Sequence, residues 1–243
     1  MIRAILSILF AFLYLILGIP VLGVEYLIGK KYPEKRDYSS LRMVQWAFRV
    51  IYKICGIRVT VIGQEKIPAD RPVLYACNHS SYFDIIIGYS LCRNRTGYIA
   101  KDSIGKVPLL KTWMKRLYCL FMNREDVKQS LQTILTAISY IKKGISICIF
   151  PEGTRNKGTS LLPFKEGSFK IAEKTGCPIV PMAITNTAAI AKENGLGVRP
   201  THVIIEYCDP IFTDQLDRSE KKLLGSKTKQ IIENSIEKNK LLI

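Results

Sequence analysis

Histidine is scarce in this chain: among 243 residues only His79 and His202 carry an imidazole. The seven cysteines are odd in number and include no Cys-x-x-Cys pair. Neighbouring residues therefore build neither a zinc site nor a closed disulfide framework, and no metal is expected. Several thiols sit inside apolar runs, a usage that fits a reducing compartment. P-loop and dinucleotide-binding signatures are missing, so no ATP, NAD or other cofactor is expected. There is no Gly-x-Ser-x-Gly elbow either. Ser80 and Ser81 adjoin His79, but adjacent side chains rarely reach the geometry of nucleophile and base, which argues against a serine hydrolase.

Acidic residues are also in short supply. Against 36 Lys and Arg stand 20 Asp and Glu, a formal net charge of +16. The partners are then anionic: a membrane surface, a phosphorylated metabolite, an acidic protein or nucleic acid. Charge alone does not choose among them. With 48% hydrophobic residues, the chain buries one substantial core, with room for a small appendage.

Charge is missing altogether from Ala4 to Val24. As one helix these residues span about 31 Å, near the thickness of a bilayer core. Gly18 and Pro20 interrupt the run, so a helix ending near Leu17, followed by a re-entrant or interfacial piece, competes with a full span. A cleaved signal peptide is the third reading, disfavoured by the cysteine usage. From Leu41 to Cys55, Arg42, Gln45, Arg49 and Lys53 recur at helical spacing beside a broad apolar face. Such a helix suits the headgroup boundary of an anionic membrane, or else packs as a core helix. If the first segment spans, Lys30, Lys31, Lys35 and Arg36 outweigh Arg3 and place the bulk of the chain on the cytoplasmic side. The expected division is residues 1–55 as membrane-associated helices and residues 56–243 as a globular domain.

From Gly56 onward, short β-branched runs alternate with helical patterns, which predicts an α/β domain with a mixed, largely parallel central sheet flanked by helices. Candidate strands are Arg58 to Ile62, Val73 to Cys77, Gly97 to Ala100, Tyr118 to Met122, Ile145 to Phe150, Ile179 to Ile184 and His202 to Tyr207. Asp126 to Lys142 and Phe164 to Thr175 read as helices, the second closed by Gly176. Asp214 to Lys240 reads as a surface helix broken near Gly225. Asn194 to Pro200 reads as a turn.

The run Val73 to Cys77 opens into Asn78-His79-Ser80-Ser81-Tyr82-Phe83-Asp84, which pairs a base with a carboxylate. Residues five apart in a helix are about 140° apart around its axis, so a straight helix would separate them. His79 should therefore precede a helix that carries Asp84 in its first turn, with Ser80 or Ser81 as N-cap. The carboxylate then holds one ring nitrogen while the other faces a substrate hydroxyl. Similarly, Ile145 to Phe150 opens into Pro151-Glu152-Gly153-Thr154-Arg155. Gly153 permits close backbone approach, and Arg155 offers a planar fork for phosphate. Lys101 and Arg124 follow two further strands. Ligands of open α/β sheets gather beyond the carboxyl ends of strands, so these residues outline an anionic-substrate pocket.

These motifs resemble the glycerolipid acyltransferase family, most closely its 1-acylglycerol-3-phosphate acyltransferases, over about Val73 to Ile184. Asn78 to Asp84 looks like the first family motif, with His79 as base and Asp84 as its partner. Leu120-Phe121-Met122-Asn123-Arg124 resembles the second, although Tyr118 stands where many members have glycine. Phe150 to Arg155 matches the third, and Cys177-Pro178-Ile179-Val180-Pro181 resembles the fourth. The resemblance implies acyl transfer from an acyl thioester, carried by acyl-carrier protein or coenzyme A, to the sn-2 hydroxyl of lysophosphatidic acid. Glycerol-3-phosphate or another lysophospholipid is the alternative acceptor. It further implies that Arg124, Glu152, Gly153, Thr154 and Arg155, with Lys101 and Lys165, serve the phosphate-bearing substrate. Anionic membrane lipids are expected as partners and nucleic acid is not. A basic membrane-binding module without catalysis is the remaining rival.

Overall fold

The computed structural model describes residues 1–156, 158, 160–191 and 197–243. In chain order the elements are helices α1 (Ile2–Lys31) and α2 (Pro33–Ile54), β1 (Arg58–Ile62), β2 (Leu74–Cys77), α3 (Phe83–Ser90), β3 (Thr96–Lys101) and α4 (Pro108–Arg116). Then come β4 (Leu120–Met122), α5 (Val127–Lys142), β5 (Ser146–Ile149), α6 (Lys170–Thr175), β6 (Ile179–Thr185), β7 (His202–Tyr207), α7 (Arg218–Lys221) and α8 (Leu224–Lys240). All seven expected strands are present, shifted by at most two residues at their ends. Part of the turn expected at Asn194 to Pro200 lies outside the described residues.

The strands form one sheet in the order β1-β7-β6-β2-β5-β3-β4. From β6 to β4 all neighbours are parallel, and β7 is antiparallel to β6. The carboxyl ends of β2, β3, β4, β5 and β6 consequently share one edge. Side chains alternate across the sheet. Tyr75, Cys77, Cys148, Val180 and Met182 pack on one face with Leu41, Val44, Ile87 and Trp113. Leu74, Ala76, Ile147, Ile149 and Ala183 pack on the other with Ala137, Ile171, Leu224 and Ile232.

The N-terminal segment is a helical hairpin, and α1 runs unbroken through Gly18 and Pro20. Glu25 accepts a 2.5 Å bond from the Ser40 hydroxyl, and Phe10 meets Trp46 at 5.7 Å. The two helices thus lie antiparallel along most of their length. Gly18 faces the Trp113 indole at a distance where a Cβ would stand 3.0 Å from the ring. The outer face of α1 leaves Ile5, Leu9, Phe12 and Leu17 exposed.

Three sequence readings change. The second helix starts at Pro33, eight residues before Leu41, because proline suits the first helical position. Two members of its expected headgroup stripe reach the end of α3: the buried Gln45 donates to the Cys92 carbonyl at 2.6 Å, and Arg49, itself exposed, donates to that of Ser90 at 3.1 Å. Carbonyls at the end of α3 have no partner within that helix, which explains the capture. Finally, the C-terminal segment breaks at Lys222 and Leu223, near Gly225 as expected, but α8 is a surface helix on its outer side alone. Gly225 lies in the first turn of α8, where its N–H donates to Glu166 at 3.1 Å and any Cβ would collide with that carboxylate. Leu224, Thr228, Ile232 and Asn239 are buried against the sheet. Asn239 donates to the buried Glu206 of β7 at 2.9 Å. Asn239→Leu should cost about 1–3 kcal/mol, because it strands a buried carboxylate oxygen; chemical denaturation in detergent would read the loss.

Candidate active site

The turn between β2 and α3 is organised by one carboxylate. Asp84 is fully buried. Its Oδ2 accepts from the backbone N–H groups of Ser80 and Ser81, both at 2.7 Å, and from His79 Nδ1 at 2.8 Å. Its Oδ1 accepts from the Thr187 hydroxyl, and Ser80 Oγ lies 2.9 Å from Thr187 Oγ1. Four donors around one anion both compensate its burial and fix the turn. The N-cap of α3 is Tyr82, not Ser80 or Ser81 as expected. Asp84 takes the two serine N–H groups itself, while Ser81 Oγ accepts from the Phe83 N–H at 3.3 Å.

His79 is held from three sides. With Nδ1–H donated to Asp84, the neutral tautomer leaves the Nε2 lone pair free. Nε2 makes no hydrogen bond to any described residue. The ring stacks on Phe150 with centroids 4.1 Å apart. The backbone N–H of His79 donates to Glu152 Oε1 at 2.8 Å, and its carbonyl accepts from Asn156 N at 2.7 Å. Neither Ser80 nor Ser81 bonds to the imidazole. Burial raises the Cys77 thiol well above its ordinary value, which keeps the nearest preceding thiol protonated.

The register explains why the two motifs meet. Ala76 pairs with Ile149, so three residues further on His79 stands beside Glu152. Glu152 is buried, and its other oxygen accepts from Leu162 N and Asn156 Nδ2, each at 3.0 Å. Expected among the substrate-binding residues, it lines the cleft beside His79 and braces the β2 loop against the β5 loop. Asn78 braces the opposite side, donating to the Ile184 carbonyl at 2.9 Å and accepting from the Ile184 N–H at 2.8 Å.

Gly153 adopts φ +77, and a Cβ there would stand 2.9 Å from Lys165 Nζ, so the amine sits against the bare glycine backbone. Thr154 is exposed beside it. The Arg155 guanidinium lies over the Tyr82 ring at 3.8 Å, a cation–π contact at the mouth of the site. Lys101 ends β3 and Arg124 follows β4, on the same sheet edge. Three interstrand steps separate β2 from β4, about 14 Å, so Arg124 approaches from the far flank and does not touch the dyad. Lost hydration lowers the pKa of Arg124 while leaving it charged. Among the described residues, none of Lys101, Arg124, Arg155 and Lys165 has a carboxylate partner within salt-bridge distance. On the other flank, a cleft of about 620 Å³ runs from Asn78, His79 and Ser80 past Leu161 and Asn186 to Glu233 of α8.

Thr187 and the stacking role of Phe150 escaped the sequence reading. Both lie just beyond a strand's carboxyl end, the one signal that pointed to them.

The profile of the acyltransferase family matches residues 58–185, which contain every one of these side chains except Asn186, Thr187 and the α8 lining. The chain belongs to the acyltransferase family. It is 30% identical over 202 residues to a 1-acyl-sn-glycerol-3-phosphate acyltransferase of Borreliella burgdorferi, covering 83% of this chain and 81% of that protein. A coconut (Cocos nucifera) protein of the same name is 37% identical over 187 residues, 75% of this chain. The chain spans about half the length of several such relatives, 56% for coconut and 47% for a Brassica napus chloroplast protein. The crystal structure of the 1-acyl-sn-glycerophosphate (LPA) acyltransferase PlsC from Thermotoga maritima has the same fold, with a TM-score of 0.86 at 24% identity, covering 98% of this chain and 95% of that one.

The brace generates a direct test. Glu152→Gln presents an amide NH2 to donors that the carboxylate accepts, so it should destabilise the fold by about 1–3 kcal/mol. It should also lower turnover by loosening His79. Thermal unfolding and initial rates, measured on the same preparation, would separate the two effects.

Proposed function

We propose that this acyltransferase moves an acyl group from a thioester to the sn-2 hydroxyl of 1-acylglycerol-3-phosphate, giving phosphatidic acid. The observation that carries this reading is a histidine with one nitrogen tied to a buried carboxylate and the other free, flanked by four cations without carboxylate partners. His79 Nε2 takes the proton of the acceptor hydroxyl as that oxygen attacks the thioester carbonyl. The tetrahedral intermediate collapses, the C–S bond breaks, and the imidazolium returns its proton to the leaving thiolate. Asp84 holds the tautomer and stabilises the transient positive charge. The backbone beside Gly153, or Lys101, faces the developing oxyanion. Arg124, Arg155 and Lys165 hold the phosphate, so that the hydroxyl arrives aligned; such positioning supplies much of the rate. The donor is acyl-carrier protein or acyl-coenzyme A, both of which present a thioester.

On this reading residues 1–55 anchor a catalytic unit formed by residues 56–243. The helix α1 is apolar enough to cross a membrane. It is nevertheless paired lengthwise with α2, which carries Lys35, Arg36, Arg42, Arg49 and Lys53 and is too charged to enter a bilayer core. We therefore place α1 in one leaflet, lying along the surface with Leu9, Phe12 and Leu17 in the acyl region. The basic hairpin tip at Lys30, Lys31, Lys35 and Arg36 meets anionic headgroups on the cytoplasmic side.

Purified protein in liposomes, given an acyl thioester and lysophosphatidic acid, should form phosphatidic acid. His79→Ala should lose about 10²- to 10⁴-fold or more of the turnover, the usual share of a general base. A folded, vesicle-bound variant with near-native turnover would overturn the assignment. In sealed inverted vesicles, tags at Met1 and Ile243 should both be open to protease. Protection of the Met1 tag alone would mean that α1 spans.

A further inference from the structure

Tyr118 is one of two described non-glycine residues with positive φ, at +60. Its hydroxyl donates to Asp37 Oδ2. Asp37 lies in the first turns of α2, is 3% exposed, and also pairs with Arg36 at 2.6 Å and Arg95 at 3.8 Å. Burial and the neighbouring carboxylate push the Tyr118 phenol up to about 12, so it remains a donor at working pH. The Tyr118 ring meets Tyr140 of α5 edge-on at 5.3 Å. Behind it, any Cβ on Gly97 would fall 2.2 Å from the Tyr118 carbonyl, so β3 and β4 come together here at a bare glycine.

The strand that follows is three residues long, lies at the sheet edge and, among the described residues, pairs with β3 alone. So short an edge strand has little to fix its register, and a slip of one residue turns every side chain to the other face. Its far end is held by α5, where Ser130 Oγ donates to the Asn123 carbonyl at 2.8 Å. Its near end is held by Tyr118. Arg124 comes two residues after the strand.

We propose that Tyr118 is a positioning residue whose hydrogen bond to Asp37 ties the N-terminal hairpin to β4 and thereby sets the reach of Arg124 toward the acceptor phosphate. The left-handed backbone at Tyr118 directs the phenol to α2, and the bond to Asp37 holds that otherwise disfavoured conformation in place. Seating of the membrane hairpin and aim of the phosphate-binding arginine then become one structural event. This inference rests on the reading of Arg124 as a phosphate ligand.

Full-length protein in liposomes tests it. Tyr118→Phe should raise KM for lysophosphatidic acid about fivefold to tenfold, the size of one hydrogen bond, with kcat and donor KM within about twofold. Asp37→Leu removes that bond together with the Arg36 and Arg95 pairs, so it should raise acceptor KM at least as much as Tyr118→Phe, and adding Tyr118→Phe to it should raise KM no further. Arg124→Ala serves as reference. If it leaves acceptor KM unchanged, Arg124 does not bind the phosphate and the inference falls with that reading. If Arg124→Ala raises acceptor KM while Tyr118→Phe does not, the coupling alone is wrong. Equal rises for donor and acceptor, or additive effects in the double variant, would make Tyr118 a general packing residue and also overturn it.

Discussion

A single buried anion organises the site. Asp84 has no exposure to water and meets four donors, drawn from the Ser80–Ser81 turn, the imidazole and the hydroxyl of Thr187 beyond β6. A carboxylate removed from water is costly unless its lone pairs are matched, so its presence forces these donors into one arrangement. The same contacts shape the β2–α3 turn, orient His79 and pull the segment after β6 toward the site. Folding of the turn and construction of the dyad are thus one problem with one solution.

Around this anion the parallel strands act as a jig. Register places His79 beside Glu152, and Glu152 uses both oxygens on backbone and amide donors from two loops. Asn78 performs the same service toward β6. Two polar side chains thereby extend the sheet's hydrogen bonding past the ends of its strands, where the ladder itself stops. Among the described residues these cations remain unmatched by carboxylates, an electrostatic state that a bound anion would complete. Their spread across β3, β4 and the β5 loop suits a substrate that lies along the edge of the sheet.

The N-terminal hairpin belongs to the same body. Its second helix packs on α3, whose first turn holds Asp84, and donates from Gln45 and Arg49 to carbonyls at the end of that helix. Its first helix covers Trp113 and presents an apolar outer face. Whatever contacts this face therefore also bears on the helix that carries Asp84.

The linear pattern was enough for the seven strands, the amphipathic α5 and the His79 to Asp84 motif, because apolar alternation, turn residues and short spacing are local signals. It also determined that the site lies at strand ends, since both motifs directly follow buried runs. Only the tertiary structure decided that Glu152 braces, that Thr187 completes the donor set around Asp84, that Gln45 and Arg49 bond to carbonyls at the end of α3 and that α8 buries one face against the sheet. Each of those depends on partners at least 33 residues away, from Asn239 and Glu206 at a separation of 33 to Thr187 and Asp84 at 103. A side chain's identity states what it can bond; which donor or acceptor reaches it depends on sheet order and register, and those arise only when the whole core closes.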